Sequence, residues 1–274
     1  MTEPLQRFER GSVFVGHSGD QVVKLFPPGE EQHALVEASC LAALAGALPV
    51  ATPILHESLV VEGHTCLRMQ RLPGVELLEL WPTLDPAARM DLGRQLGELM
   101  SVLHAIPPPI ALDRPDWEQW VTQRSASAVA DQLDRGAPPS LASSIPALLE
   151  RADLDARHLG FTHTELMRDH LLVERSPSGW RLSGLFDFEP AMVAPLDYEL
   201  AAVGVFFSGG EGAVWRSVLQ GMGRDPEEPG LSERVMGLYL VHRYANLRFA
   251  MDRTSANSSL SIESLANIWF SSDP

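Results

Sequence analysis

The 274-residue chain is 45% hydrophobic, enough to bury one large core or two smaller ones. Its formal net charge of −15 argues against a nucleic-acid partner and against binding to an anionic membrane surface. No uninterrupted apolar run reaches membrane-spanning length, and the polar N-terminus lacks a signal-peptide core. Cys40 and Cys66 sit in apolar runs and are expected to be buried free thiols in a reducing compartment. We therefore expect a cytoplasmic protein.

Alternating apolar and polar residues near the N-terminus predict three β-strands, at residues 5–9, 12–16 and 21–26. The composition of residues 17–20 predicts a tight turn between the last two strands. Lys24 lies inside the third strand, which is otherwise almost wholly apolar. Because an unpaired buried charge is costly, we expect its amine to reach solvent or to find a carboxylate partner.

The next segment alternates between helix and strand signals. Residues 31–45 carry apolar side chains at three-to-four spacing, which predicts a helix. Two further strands are expected near residues 54–61 and 65–70. Pro73-Gly74 then breaks the chain, so residues 70–74 are the predicted hinge between an N-terminal and a C-terminal part.

The remainder of the chain has mostly helical periodicity. Asp85 as the N-cap, with Pro86 at the first helical position, is a well-formed helix start. Helical stretches are then expected from residue 116 onward, at 146–157 and 215–219, and as one long amphipathic helix at 232–251. Strands followed by helices, around one inserted hairpin, predict an α+β fold.

One stretch of this second half carries the densest set of candidate catalytic side chains. His163, Glu165 and His170 fall within eight residues and precede an apolar run. A turn-rich gap at residues 175–179 follows, and a second apolar run delivers Asp187. This pattern predicts a polar loop followed by a β-hairpin, which holds two carboxylates near one another as a metal-dependent transfer requires.

The order His-x-acid, a polar residue five positions after that acid, a hairpin and then Asp-Phe-x resembles the catalytic and metal loops of kinase-fold enzymes. The tail at residues 187–201 resembles the aminoglycoside phosphotransferase family, and the hygromycin phosphotransferases look closest. Members of that family usually read His-Gly-Asp, then Asn, then Asp-Phe-Gly or a variant, and then Asp-Leu-Ala. This sequence keeps the histidine, the metal-loop aspartate and Leu-Ala. It has Glu165 for the first aspartate, His170 for the asparagine and Glu199 for the last aspartate.

The resemblance implies a bilobal, protein-kinase-like fold, with a nucleotide-binding lobe at residues 1–72 and a catalytic and acceptor-binding lobe at residues 73–274. It makes Lys24 the amine that grips the α- and β-phosphates and Glu37 its ion-pair partner. The alternative is that Lys24 reaches solvent and Glu37 lies on a wet helix face. Ser12, in the bend between the first two strands, would donate to the phosphates, unless that bend is an ordinary hairpin turn.

At the hinge, the resemblance makes the backbone near Gln70 and Leu72 the contact for the base of the nucleotide. Leu72 would lie near the hydrogen-bonding edge of the base, with Met69 beside it. A methionine in a strand is more often part of the core, and that alternative stays open for Met69.

Phosphoryl transfer requires a base near the acceptor hydroxyl, oxygen ligands for Mg²⁺ and cations on the phosphates. By its place in the motif, Glu165 is the implied base and Asp187 the principal metal ligand. Glu189 offers a compensating carboxylate for the metal. His163 and Glu199 are implied to brace the catalytic loop rather than to react.

The departures from the family pattern leave alternatives open. Glu165 is one methylene longer than aspartate, and a misplacement of about 1 Å costs on the order of 10²-fold in rate. A pseudoenzyme, in which Glu165 only hydrogen-bonds the loop, is therefore the competing interpretation. Three interpretations of His170 are open: it binds Mn²⁺ or another metal, it donates a hydrogen bond to a phosphate, or it leaves only one metal ion fully held. We expect the phosphate contact, with Asp187 carrying the metal.

The implied function is transfer of the γ-phosphate of ATP or GTP to a hydroxyl of a small molecule, most simply an antibiotic of the aminoglycoside or nucleoside type, with Mg²⁺ or Mn²⁺. The net charge of −15 fits a polycationic acceptor without requiring one. The alternatives are a nucleotide-binding pseudokinase and a kinase of a primary metabolite such as choline or homoserine. By region alone, Arg243, Tyr244 and Asn246 are candidates to face the acceptor, and a solvated helix face is the alternative. We expect a monomer or a homodimer.

Overall fold

The computed structural model describes residues 6–7, 13–254, 256 and 260–272. Its N-terminal part is one antiparallel sheet with strand order β1-β2-β3-β5-β4. The strands are β1 (Gln6–Arg7), β2 (Phe14–Ser18), β3 (Gln21–Phe26), β4 (Leu55–Val61) and β5 (His64–Gln70). Helix α1 (Glu31–Leu44) follows β3 and buries one face beside the sheet.

The turn between β2 and β3 is shorter than the sequence predicts. Ser18 still pairs with Gln21, so only Gly19 and Asp20 form the turn, and Gly19 adopts φ +57°. Two-residue hairpin turns need positive φ, which glycine adopts without strain. The extra pairing keeps β3 in register with β2 on one side and β5 on the other, so Lys24 lies in the middle of the sheet.

After the sheet, the chain forms a small three-stranded sheet, a two-stranded ladder and a set of helices. The three-stranded sheet has the order β6-β8-β9, from β6 (Val75–Glu76), β8 (Leu171–Ser176) and β9 (Gly179–Leu185). The ladder joins β7 (Leu159–Thr162) to β10 (Met192–Pro195). The helices are α2 (Leu77–Leu80), α3 (Pro86–Ala105), α4 (Trp117–Asp134), α5 (Pro139–Ala142), α6 (Ile145–Arg151), α7 (Tyr198–Ala202), α8 (Gly212–Gly221), α9 (Leu231–Leu240), α10 (Leu247–Thr254) and α11 (Ile262–Phe270). The prediction of an α+β fold is confirmed.

Helix α3 forms the spine of the C-terminal part. It begins where the sequence predicts, because the side chain of Asp85 accepts the N–H of Ala88 at 2.8 Å. Its leucine stripe is fully buried, and it packs tightly against α8. A Cβ on Gly97 would lie 2.0 Å from the carbonyl oxygen of Val218, so only glycine permits this approach.

Two predicted helices have the wrong bounds. The stretch predicted at 146–157 ends at Arg151, because the chain beyond it bonds to other elements. The carbonyl of Leu154 accepts the indole N–H of Trp117 at 2.7 Å. The stretch predicted as one helix at 232–251 is two helices, α9 and α10, separated by residues 241–246.

The break between α9 and α10 is stabilised by side chains from elsewhere in the chain. Trp120, Arg124 and Gln132 of α4 donate hydrogen bonds to four carbonyls of the break, at 2.7 to 3.2 Å. Asn246 restarts the helix, because its side chain accepts the N–H of Phe249 at 3.0 Å. The candidate role of Asn246 in facing an acceptor is therefore replaced by helix capping. No helix among the described residues is both long and apolar enough to cross a membrane.

Candidate active site

The amine of Lys24 is the point at which the two parts of the molecule meet. Its Nζ lies 3.0 Å from Oε2 of Glu37 on α1, 2.6 Å from Oδ1 of Asp187 and 3.1 Å from Oε2 of Glu189. Lys24 is 6% exposed, so it does not reach solvent along its strand. Burial alone would lower the pKa of Lys24, but the three carboxylates outweigh it and hold the pKa well above its usual value.

The carboxylates around Lys24 have the composition of a cation site. One oxygen each from Glu37, Asp187 and Glu189 lies within 4.8 Å of the others. Three carboxylates against one amine leave the cluster with an excess negative charge. Lys24 holds the pKa of Asp187 below its ordinary value although burial acts in the opposite direction, so Asp187 is ionised at neutral pH. Hard oxygen donors carrying excess negative charge fit Mg²⁺ or Mn²⁺.

Asp187 reaches this position through an unusual backbone conformation. It follows β9 and adopts φ +71°, in the left-handed region that non-glycine residues seldom occupy. Thr164, in the facing loop between β7 and β8, adopts φ +70°, which is rarer still for a β-branched residue. The hydroxyl of Thr164 donates to the carbonyl of Pro190 at 3.1 Å and thereby joins the two loops. Such conformations persist only where surrounding contacts determine them.

His163 also joins the two loops. Its ring nitrogen Nε2 lies 3.1 Å from the carbonyl oxygen of Phe186, and its Nδ1 accepts the N–H of Glu165 at 3.3 Å. The backbone N–H of His163 donates to Oε2 of the fully buried Glu199 at 2.6 Å. Burial lowers the pKa of His163 to about 4, so the ring is neutral at pH 7 and Nε2 carries its proton.

Glu165 lies between these anchors, with its side chain half-buried. Burial raises the pKa of Glu165 to about 7, and the nearby His170 acts in the opposite direction. A carboxylate with a pKa near the working pH is suited to general acid–base chemistry. The geometry therefore gives Glu165 the chemical property that a base requires.

His170 faces both Glu165 and Asp187. Its Nδ1 lies 2.9 Å from the carbonyl oxygen of Glu165, and its Nε2 lies 3.2 Å from Oδ2 of Asp187. A carbonyl only accepts hydrogen bonds, so Nδ1 carries a proton. If Nδ1 carries the only proton, the lone pair of Nε2 faces the carboxylate of Asp187. Because both groups are then acceptors, the contact requires either a second proton, on Nε2, or a metal ion shared with Asp187.

Arg168 and Asp169 hold the loop between β7 and β8 in place, and neither is identifiable as a site residue from the sequence. Arg168 donates from Nε to the carbonyl of Phe207 at 2.6 Å, and its guanidinium lies 3.7 Å from the ring centroid of Trp81. Asp169 pairs with Arg253 of α10 at 2.8 Å. In a polar loop, an arginine and an aspartate look like solvated side chains, because their partners lie far away in the sequence.

The remaining candidates for nucleotide contact lie at the end of β5 and in the connection that follows it. Gln70 is the last residue of β5, and its N–H donates to the carbonyl of Ile54 at 2.8 Å. Leu72 lies in the connection to β6 and packs towards β9, where a Cβ on Gly184 would lie 3.0 Å from its Cδ1. Ser12 lies outside the described residues.

Together, the sheet, the buried lysine and the two facing loops define a protein of the kinase-like fold class. A model of the phosphotransferase enzyme family matches residues 4–233, and the chain belongs to this family. The resemblance to phosphotransferases and the bilobal kinase-like fold predicted from the sequence are confirmed. A comparison with curated proteins finds no significant match.

Several solved structures share this fold. APH(2")-IIia, solved with GDP and kanamycin, is 21% identical with a TM-score of 0.75, covering 97% of this chain and 94% of that chain. APH(2")-IIa, solved with streptomycin and ATP, is 14% identical with a TM-score of 0.66, covering 96% and 93%. The macrolide 2'-phosphotransferase MphH from Brachybacterium faecium is 22% identical with a TM-score of 0.61, covering 97% and 91%. At these identities the likeness establishes the fold.

Proposed function

We propose that this phosphotransferase transfers the γ-phosphate of ATP or GTP to a hydroxyl group of a small molecule. The observation that carries the proposal is the position of the Lys24 amine, 3.0 Å from Glu37 and 2.6 Å from Asp187. A buried lysine held between a helix glutamate and a metal-loop aspartate is the arrangement that phosphoryl transfer requires. Structural neighbours solved with GDP and with ATP agree with a nucleoside triphosphate as donor.

On the nucleotide side, Lys24 would bind the α- and β-phosphates while Glu37 keeps its amine in place. Gln70 and Leu72 would contact the base, and Ser12 the phosphates. The division into a nucleotide lobe at residues 1–72 and an acceptor lobe at residues 73–274 is part of this proposal. A cytoplasmic location suits an enzyme that uses these triphosphates.

On the metal side, Asp187 and Glu189 would hold Mg²⁺ or Mn²⁺, whose charge offsets that of the phosphates. We now favour His170 as a further metal ligand over the phosphate contact expected from the sequence. The reason is that its Nδ1 donates to the carbonyl of Glu165, which leaves Nε2 with a lone pair to offer. Metal-ligating histidines commonly donate their other ring N–H to a carbonyl in this way.

Glu165 would accept the proton of the attacking hydroxyl. A pKa of about 7 leaves roughly half of Glu165 ionised at neutral pH, enough to act as a base. His163 and Glu199 would keep its loop in place, since both contact the backbone that precedes it. The departures at Glu165 and His170 leave one competing function, a nucleotide-binding pseudokinase.

For the acceptor, we propose an antibiotic of the aminoglycoside or nucleoside type, because neighbours of the same fold are described with kanamycin, streptomycin or a macrolide activity. A primary metabolite such as choline or homoserine is the alternative within the same chemistry. Incubation with γ-labelled ATP or GTP and a panel of these acceptors tests the proposal, with Lys24→Met as the inactive control. A protein that is stabilised by nucleotide yet labels no acceptor belongs to the pseudokinase class instead.

A further inference from the structure

The break between α9 and α10 is a rigid platform. Its carbonyls accept hydrogen bonds from Trp120, Arg124 and Gln132 of α4, at 2.7 to 3.2 Å. The N–H of Arg243 also donates to the hydroxyl of the buried Tyr198 at 3.0 Å. Because the backbone polar groups are satisfied in this way, the side chains that project from the break hold defined positions.

The platform lies beside the catalytic loop. Nη2 of Arg243 contacts the sulfur of Met192 at 2.8 Å. Met192 in turn pairs with Thr162 in the β10–β7 ladder, three residues before Glu165. Burial raises the pKa of Glu165, and the positive charge of Arg243 acts on the same carboxyl in the opposite direction. The break therefore brings a guanidinium to the strand pair that leads into the loop carrying the proposed base.

Arg243 is not neutralised by the protein around it. Within the described part of the chain, no carboxylate forms an ion pair with its guanidinium, and its Nε is buried without a hydrogen-bond partner. Tyr244, which is 46% exposed, follows Arg243 directly, and burial, with a smaller contribution from Glu165, raises the pKa of Tyr244. The terminal nitrogens of a half-buried guanidinium bind an anionic oxygen favourably, because their planar fork matches such groups.

We propose that Arg243 and Tyr244 form a subsite for an anionic oxygen group, a phosphate or a carboxylate, beside Glu165. The proposal rests on the proposed function only in placing the acceptor hydroxyl at Glu165. The anion has two sources: the phosphoryl group in transfer, or an acidic group on the acceptor.

The subsite narrows the class of acceptor. An ammonium group adjacent to the reactive hydroxyl would lie against Arg243, and like charges repel strongly at short range in a partly buried site. The net charge of −15 does not offset this local repulsion, because exposed charges more than about 8–10 Å apart are largely screened at physiological salt. Among the acceptors proposed above, those that are uncharged or acidic beside the reactive hydroxyl, such as nucleosides, are therefore preferred over polycationic aminoglycosides.

Calorimetric titration of the full chain tests the subsite, comparing Arg243→Gln with Arg248→Gln. Arg248 is the matched control, because it is exposed on α10 and pairs with Asp252 at 2.6 Å, so its loss changes the net charge equally. Inorganic phosphate, titrated into protein saturated with ADP and Mg²⁺, probes the phosphoryl source. Glucuronate, methyl glucoside and glucosamine, titrated without nucleotide, probe the acceptor source.

We expect at least one anionic probe, phosphate or glucuronate, to bind the wild type, and Arg243→Gln to weaken it by about tenfold or more. Arg248→Gln should change the affinity less than twofold, Arg243→Lys should retain part of it, and Tyr244→Phe should lose less than Arg243→Gln. Glucosamine should bind more weakly than glucuronate. Thermal melting of Arg243→Gln and Arg243→Lys checks that both variants are folded.

The proposal is overturned if no anionic probe binds the wild type, or if Arg243→Gln and Arg248→Gln bind every probe equally. Loss of the phosphate signal alone assigns the anion to the phosphoryl group, and loss of the glucuronate signal alone assigns it to the acceptor. The glucuronate arm needs no nucleotide, so it separates this inference from the proposed function. A protein that binds nucleotide normally but no anion contradicts only the subsite.

Discussion

The burial that suits Glu165 to its proposed role as a base also lowers the stability of the folded protein. Burial raises its pKa to about 7, above the 4.5 of an unfolded chain. Between these two values the folded protein binds more protons than the unfolded one, so this group's contribution to stability falls as pH rises. Its ionised form, which the proposed transfer needs, is therefore the form that destabilises the folded protein.

Glu165→Gln should abolish most activity and stabilise the protein. We expect the transfer rate to fall by about 10²–10⁴-fold, as is typical for loss of a general base. The melting temperature should rise at pH 8, where Glu165 is ionised in the folded protein, and change little at pH 4, below both pKa values, where Glu165 is largely neutral in the folded and the unfolded chain. In the wild type, kcat/KM should increase with pH up to about 7. Equal melting shifts at both pH values would contradict the assigned burial effect.

His170 should change the metal preference of the protein. An imidazole nitrogen suits Mn²⁺ and Co²⁺ better than Mg²⁺, so the wild type should bind Mn²⁺ more tightly than His170→Asn does. Electron spin resonance of bound Mn²⁺ in the presence of ADP should detect coupling to a nitrogen nucleus, absent in His170→Asn. His64→Asn, at an exposed end of β5, is a suitable control. An unchanged spectrum in His170→Asn would remove His170 from the metal site.

At the scale of elements, the catalytic loop is held against the helices by one stacked arginine. The guanidinium of Arg168 lies over Trp81 and donates to Phe207 and Ser208, at the end of the π-helical turn of residues 203–208. Stacking and carbonyl bonding together need the planar fork of arginine, which lysine lacks.

Arg168→Lys should therefore lower kcat by roughly tenfold or more while leaving the KM for nucleotide nearly unchanged, because small displacements of a catalytic group are costly. Steady-state kinetics with the labelled donor measures both parameters. Arg181→Lys serves as the control, because Arg181 is exposed on β9 and forms an ion pair with Glu174 on β8. An equal effect of both substitutions would show that Arg168 has no special positioning role.

The elements that the sequence predicts well are those with local signals. The cap at Asp85, the strand around Lys24 and the loop–hairpin from His163 to Asp187 are specified by neighbouring residues. The break at 241–246 is not, because its stabilising donors come from α4, more than a hundred residues earlier. The apolar periodicity continues through the break since both α9 and α10 bury a face. Asn246 is the one local signal that was available, as an N-cap.

At the scale of the whole molecule, Lys24 joins the N-terminal sheet to the metal loop. Lys24→Met should destabilise the protein by about 3–5 kcal/mol, because buried carboxylates lose their counter-charge. Burial already raises the pKa of Glu37, and without Lys24 it rises further, while the pKa of Asp187 is no longer held down, so the loss should be largest at neutral pH and shrink as the pH falls.

Chemical denaturation at pH 7.5 and pH 5 measures this pH dependence. The double variant Lys24→Met, Glu37→Gln should recover part of the lost stability, since it removes one of the unpaired charges. A pH-independent loss of stability in Lys24→Met would instead indicate that the aliphatic stem of the lysine, rather than its charge, holds the two parts together.

The support that α4 gives to the 241–246 backbone has an evolutionary consequence. The shape of this corner is set by main-chain carbonyls, which every residue type possesses, and by donors that belong to another helix. Exchange of the side chains at positions 243 and 244 would therefore leave the backbone of this corner unchanged. Enzymes with this scaffold can therefore evolve new acceptor specificities through substitutions at these two positions, without a change in the fold.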